Sequence, residues 1–96
     1  MMNGYVFASK RLVEQKRKVR FMYRETPDKA YDSGWRFFSG DETEEYANDP
    51  ENIGIYDIRT ITEIDPDVLP LLESPVGSMF EREEETEPFK VSRGFD

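Results

Sequence analysis

The sequence contains neither histidine nor cysteine. Without imidazole there is no Ser–His or Cys–His relay, no histidine-ligated zinc and no ordinary histidine acid–base chemistry. Without thiols there is no disulfide and no thiolate metal site. An enzyme built on this chain would have to work with carboxylates, Lys, Arg, Tyr or a hard metal ion. Also missing is any apolar run near the roughly 18–20 residues that a membrane span needs. The stretch from Met1 to Gln15 lacks the charged and then long apolar pattern of a secretory signal. These absences point to a cytoplasmic protein with no membrane partner.

What is present makes one domain over residues 1–96. Hydrophobic residues are 36% of the chain and charged residues 35%, a lean core that relies on the 14% of aromatics, which bury the most area per residue. The net charge of −8 is unevenly placed. Residues 1–40 have nine Lys/Arg against four Asp/Glu, a net of +5, and residues 41–96 have four against seventeen, a net of −13. Such polarity steers a partner of complementary charge, unless the fold interleaves the halves and cancels it.

Along the chain, "GYVFAS" reads as a strand, and Ser9 as the cap of a helix "KRLVEQKRK" whose Leu12 and Val13 face the core. "KVRFMYRE" alternates, which puts Val19, Phe21 and Tyr23 on an apolar face and Arg20, Met22 and Arg24 on the other. "WRFFS" is a strand with Trp35 and Phe37 together on its core face. In "GDETEEYAND", Asp41 with Glu44 three residues on resembles a capping box opening a short acidic helix that ends near Asn48. "NDPEN" is a turn and "IGIYD" a strand. Asp57 then caps a helix through "IRTITEI", a β-branched stretch that alternatively continues the strand. The Pro-rich "DPDVLPLLESPVGS" is irregular or 3₁₀, folding Val68, Leu69, Leu71 and Leu72 onto the core. "SMFERE" is a late strand candidate. Residues 81–96 begin with a charged run and read as a flexible acidic hairpin or tail, with "PFKVSRGFD" adding an edge strand or fraying. Together these elements give an α+β fold: a mostly antiparallel sheet with two or three short helices.

Chemistry is sparse. The acidic stretch from Asp41 to Asn52 fails the EF-hand pattern, having Tyr46 where glycine is required and Asn52 in place of the bidentate glutamate. No metal site and no cofactor are expected. The carboxylates lie in dense polar runs, the wrong surroundings for the raised pKa that acid catalysis needs. No glycine-rich phosphate cradle precedes a helix. The basic first half with Phe21 and Tyr23 imitates a nucleic-acid surface, but the acidic excess elsewhere repels phosphate, so no nucleic acid is expected. The chain reads as a non-enzyme.

The Gly34-Trp35-Arg36-Phe37 strand, the Ser39-Gly40-Asp41-Glu42 turn, Asn48 with Pro50 and Asn52, Gly54-Ile55-Tyr56, and Pro75-Val76-Gly77-Ser78 together resemble a bacterial family of small α+β domains. That family was first catalogued as a domain of unknown function and later grouped with immunity proteins of polymorphic toxin systems. The resemblance runs from Gly4 to Arg82. It implies a protein partner, such as a basic toxin domain, neutralised by occlusion. On that reading Asp41, Glu42, Glu44 and Glu45 steer the partner and Tyr46 anchors it. A solvated helix with no such role explains the same carboxylates. The alternative function is a small-ligand or regulatory module with a pocket beside "DPDVLPLLESP".

Overall fold

The computed structural model describes residues 3–92. Strand β1 (Tyr5–Ser9) ends at Ser9, whose hydroxyl accepts the Leu12 N–H at 3.2 Å and caps α1 (Lys10–Glu14). α1 stops short of the expected Lys18. Lys16 turns left-handed at φ +51°, and the Lys16 and Arg17 N–H groups return to the Val13 and Leu12 carbonyls at 3.2 and 2.8 Å. That pair of bonds closes a helix and starts a new chain direction.

The strands β2 (Phe21–Arg24), β3 (Asp32–Phe38), β4 (Ile53–Asp57), β5 (Met79–Glu81) and β6 (Lys90–Val91) join β1 in one six-stranded sheet, ordered β4-β1-β3-β2-β5-β6. Among the described residues only the central β1/β3 pair is parallel. The expected α+β architecture is what forms. α2 (Glu44–Asn48) follows β3, and α3 (Ile58–Ile64) follows β4. Residues 58–64 are helical and do not prolong the strand. Asp57 takes the Arg59 N–H at 2.8 Å, and the resulting turn buries Ile58 and Ile61. A 3₁₀ segment, Pro66–Leu71, returns the chain across the helices.

All the fully buried apolar side chains lie on one side of the sheet. Val6, Ala8, Met22, Trp35 and Phe37 meet Leu12, Ile58, Ile61, Val68 and Leu72 there. The Trp35 indole N–H donates to the Leu72 carbonyl at 3.1 Å, so the largest core side chain also fixes the Pro-rich segment. Leu69 departs from expectation. It points outward at 41% exposure, because a 3₁₀ turn brings only every third residue to the inner side and Val68 takes that place.

A larger correction concerns β2. Met22, expected on the polar face, is fully buried, while Phe21 and Tyr23 lie half-buried on the opposite side of the sheet. Pairing decides this: Met22 is in register with Phe37, whereas Phe21 and Tyr23 oppose Phe38 and Arg36. Val19 is buried but precedes the strand, so the alternation does not run through it.

Gly34, inside β3, adopts φ +88°, and a Cβ there would lie 2.4 Å from the Glu25 carbonyl oxygen. Gly34→Ala therefore combines a backbone penalty of about 1–3 kcal/mol with a clash against main chain. Urea unfolding is expected to show a loss of at least about 2 kcal/mol. A loss under half that would mean β2 and β3 separate easily at this point.

Candidate functional site

The turn after β3 is built from its own carboxylates. Gly40 sits at φ +93° with Arg20 packed where a Cβ would be, 2.7 Å from its Nε. Glu42 accepts the Ser39 and Gly40 N–H groups at 2.8 and 2.9 Å. Burial opposes its charge, but the Ser39 N–H, the Ser9 and Ser39 hydroxyls and its own N–H outweigh burial and hold the pKa below the usual value. Asp41 is held low first by the Ser39 hydroxyl and then by Arg17, with which it forms an ion pair; Arg11 lies 3.6 Å away. Thr43, and not Asp41, caps α2, its hydroxyl accepting the Tyr46 N–H at 3.1 Å. The capping-box reading was thus two residues early, because Asp41 is occupied by arginines of the basic half.

The five residues singled out in the sequence divide accordingly. Asp41 and Glu42 shape the turn. Tyr46 holds α2 against α1: its hydroxyl accepts the Arg11 N–H at 3.1 Å, and the Arg11 guanidinium lies 4.5 Å from its ring centre. Glu44 and Glu45 are exposed and have no ion pair among the described residues. All five remain at one end of the sheet, beside a second feature that the sequence reading did not single out.

That feature is the sheet's other face. No helix of the core layer covers it, and it carries Tyr5, Phe7, Phe21, Tyr23 and Phe38, all half-buried, with Ile55 at 66% exposure. Tyr23 and Phe38 stack at 6.2 Å with 9° between their planes, and Phe21 lies 6.1 Å from Phe38. Arg36 crosses the middle of this face. It donates to both Asp32 oxygens at 2.9 and 2.8 Å and to Glu25 at 2.5 Å, with its guanidinium 4.0 Å from the Phe7 ring centre. A groove of about 360 Å³ runs between Phe21, Tyr23 and Phe38 on one side and Glu42, Ala47 and Asn48 on the other. The signal for this face was in the sequence: β1 and β2 alternate aromatics (Tyr5, Phe7; Phe21, Tyr23) with apolar Val6, Ala8 and Met22, and β3 has Phe37 and Phe38 side by side, so both faces are apolar and a single buried face cannot absorb them all.

One other place bears on function. A groove of about 510 Å³ lies beside the Pro-rich segment, lined by Pro66, Pro70, Leu71, Pro88 and Phe89. Its arginine, Arg82, is already committed to Val19, Asp65, Asp67 and Glu87, so the polar groups it leaves open to a ligand are those of Asp67, Thr86 and Glu87. Every carboxylate with a clear pKa shift (Asp32, Asp41, Glu42, Asp57 and Asp67) is shifted down, the direction that keeps it ionised and makes it a poor proton donor near neutrality. Among the described residues no group of three acidic side chains is placed to hold a metal ion, and no helix is long and apolar enough to cross a membrane.

Fold and site together define a class: a two-layer α+β domain with its buried ions paired internally, one sheet face uncovered, and an acidic helix at the rim of that face. The chain belongs to the Immunity protein Imm33 domain family, whose model matches residues 6–92. Searches of curated proteins and of solved structures found no match. Membership implies a toxin-neutralising role and a toxin partner in general terms, and immunity families are generally non-enzymatic.

Proposed function

We propose that this domain is a stoichiometric, non-enzymatic binding protein that neutralises a protein toxin by covering the toxin's working surface. The observation that carries the reading is the uncovered aromatic sheet face in a chain matched over nearly its whole length by an immunity family. Aromatic side chains left half-exposed across a sheet supply the rigid contact area on which interface hot spots are built. Paired internal ions and depressed carboxylate pKa values support occlusion over catalysis.

The acids at the rim supply steering. Glu44 and Glu45 project freely, Asp41 and Glu42 add to the field while they hold the turn, and Tyr46 keeps the helix in place and contributes its remaining exposed area. A basic toxin surface is the complementary partner.

The test is co-expression with candidate basic toxin domains, those of any toxin gene found next to this one being tried first. Restored growth of the host and a one-to-one complex on size exclusion are expected. Charge reversal at two exposed, unpaired positions, Glu44→Lys with Glu45→Lys, should slow association about tenfold at low salt and leave dissociation nearly unchanged. An association rate indifferent to the two substitutions would remove the acids from the recognition surface. Host death despite a folded, expressed domain would remove the immunity reading itself.

A further inference from the structure

We infer that the groove between the open sheet face and α2 receives a cationic side chain, a guanidinium above all, projecting from a basic protein surface. This deepens the binding reading above and rests on it.

The walls of the groove have the required chemistry. One side is a continuous π surface, Phe21–Phe38–Tyr23, with neighbouring centroids 5.7 to 6.2 Å apart. The facing side carries the Glu42 carboxylate, fixed in place by the Ser39 and Gly40 N–H groups. A cation over an aromatic face with a carboxylate at its edge is stabilised by both, most strongly where water is partly excluded.

The molecule already uses this arrangement on itself. Arg36 lies over Phe7 with Asp32 and Glu25 as its anions, and Arg11 lies over Tyr46 with Asp41 beside it. Along the same strip of sheet, Tyr23 and Phe38 form a π surface over which no internal guanidinium sits among the described residues.

Charge selects among occupants. Glu44 and Glu45 stand on the helix side of the groove and Glu25 on the sheet side. A second copy of this chain, with net charge −8, presents the wrong sign, and so does a phosphate backbone. A basic polypeptide is what remains.

The probe is a short arginine-rich peptide, with lysine-rich and glutamate-rich peptides of equal length as comparisons, titrated into the full ¹⁵N-labelled chain. Resonances of Phe21, Tyr23, Phe38 and Ala47 should shift with the arginine peptide, less with the lysine peptide and not with the glutamate peptide. Tyr23→Ala with Phe38→Ala should weaken binding about tenfold. Asn48→Arg changes only an exposed position at the rim and should abolish binding with the melting temperature unchanged, so loss of binding is separable from loss of fold. The proposal is overturned by shifts confined to the acidic run 83–85, by binding indifferent to these variants, by dimerisation through this face, or by an oligonucleotide occupying the groove in preference to the peptide. Toxin neutralisation that survives all the groove substitutions would sink this site and leave the immunity reading intact. Groove binding without neutralisation would do the reverse.

Discussion

Arg82→Met is expected to lower stability by about 3–5 kcal/mol, the typical result of removing one partner from a buried ion pair. Arg82 lies within the acidic run, yet its side chain is only 2% exposed. Its Nε donates to the Val19 carbonyl at 2.9 Å, and its two Nη groups reach Asp65 at 2.8 Å and Asp67 at 2.9 Å. Asp65, fully buried, accepts the Val19 N–H at 2.9 Å. The Arg82–Asp65 pair therefore takes up both main-chain groups of Val19, where the chain enters β2 without a strand neighbour of its own. Phe89 lies against the guanidinium at 4.1 Å, which ties in the approach to β6. Methionine fills the volume of the aliphatic stem but leaves the Val19 carbonyl without a donor and strips Asp65 of its guanidinium, leaving that carboxylate only the Val19 and Asp67 N–H groups and the Lys18 ammonium 3.9 Å away. For a domain of this size the melting temperature should fall by at least roughly 12 °C. Arg82→Met with Asp65→Asn should recover part of the loss, because the amide oxygen still accepts from Val19 while no unpaired charge remains. A double variant as unstable as the sum of the two single ones would show that the pair is not coupled.

Asp32→Asn should cost about 3 kcal/mol or more at neutral pH, with a pH signature that a simple packing defect lacks. The Asp32 carboxyl is held well below the ordinary range, first by the Arg36 guanidinium and then, against the opposing effect of burial, by the Asp28 and Gly34 N–H groups. A folded pKa below the unfolded value makes a contribution that is complete above the unfolded pKa of about 3.9 and is lost as pH falls through the folded one. Asp41, Glu42 and Asp67 are shifted in the same direction. With no histidine to titrate between pH 5 and 8, stability should stay level across that range and decline below about pH 4. The deficit of Asp32→Asn should therefore be largest at pH 7 and shrink toward pH 3. A deficit equal at every pH would show that the carboxylate's charge is not what Arg36 needs. The same substitution bears on recognition, since Asp32 holds Arg36 flat over Phe7 in the middle of the open face.

Much of the local structure was legible. Ser9 and Asp57 cap the helices assigned to them, and Trp35 and Phe37 are buried as their shared strand face required. Gly40 marks a position where a side chain would collide, here with Arg20; at Gly54 the obstacle is the movable Tyr56 ring. Apart from the approach of Arg20 to Gly40, these are effects of near neighbours in the chain. The stretch 81–96 was legible only in outline. Glu81 pairs with Lys90 in a hairpin, and residues 93–96 lie outside the described residues. Inside that charged run Arg82 is buried, because Asp65 and Asp67, remote in sequence, come round to meet it.

The candidate site was half legible. The run Asp41–Tyr46 was visible as a charged, aromatic-ended segment, but three of its members turned out to be occupied by partners in the basic first half, at Ser9, Arg11 and Arg17. Of the aromatic face only Phe21 and Tyr23 were noticed, as a core face or as an imitation of a nucleic-acid surface, and not as an open face. Alternation in "RFMYR" shows that two faces exist and is silent on which one is covered.

From its residues alone this chain excluded imidazole and thiol chemistry, set the positions of most strands and caps, and resembled the immunity family to which it belongs, since those properties depend on side-chain identity and short-range spacing. Which side of the sheet receives the helices, which acids are consumed by arginines from the other half, and which aromatics are left facing water were decided only by strand register and helix placement. A period of two fixes faces only relative to each other, and contacts between distant segments fix them absolutely.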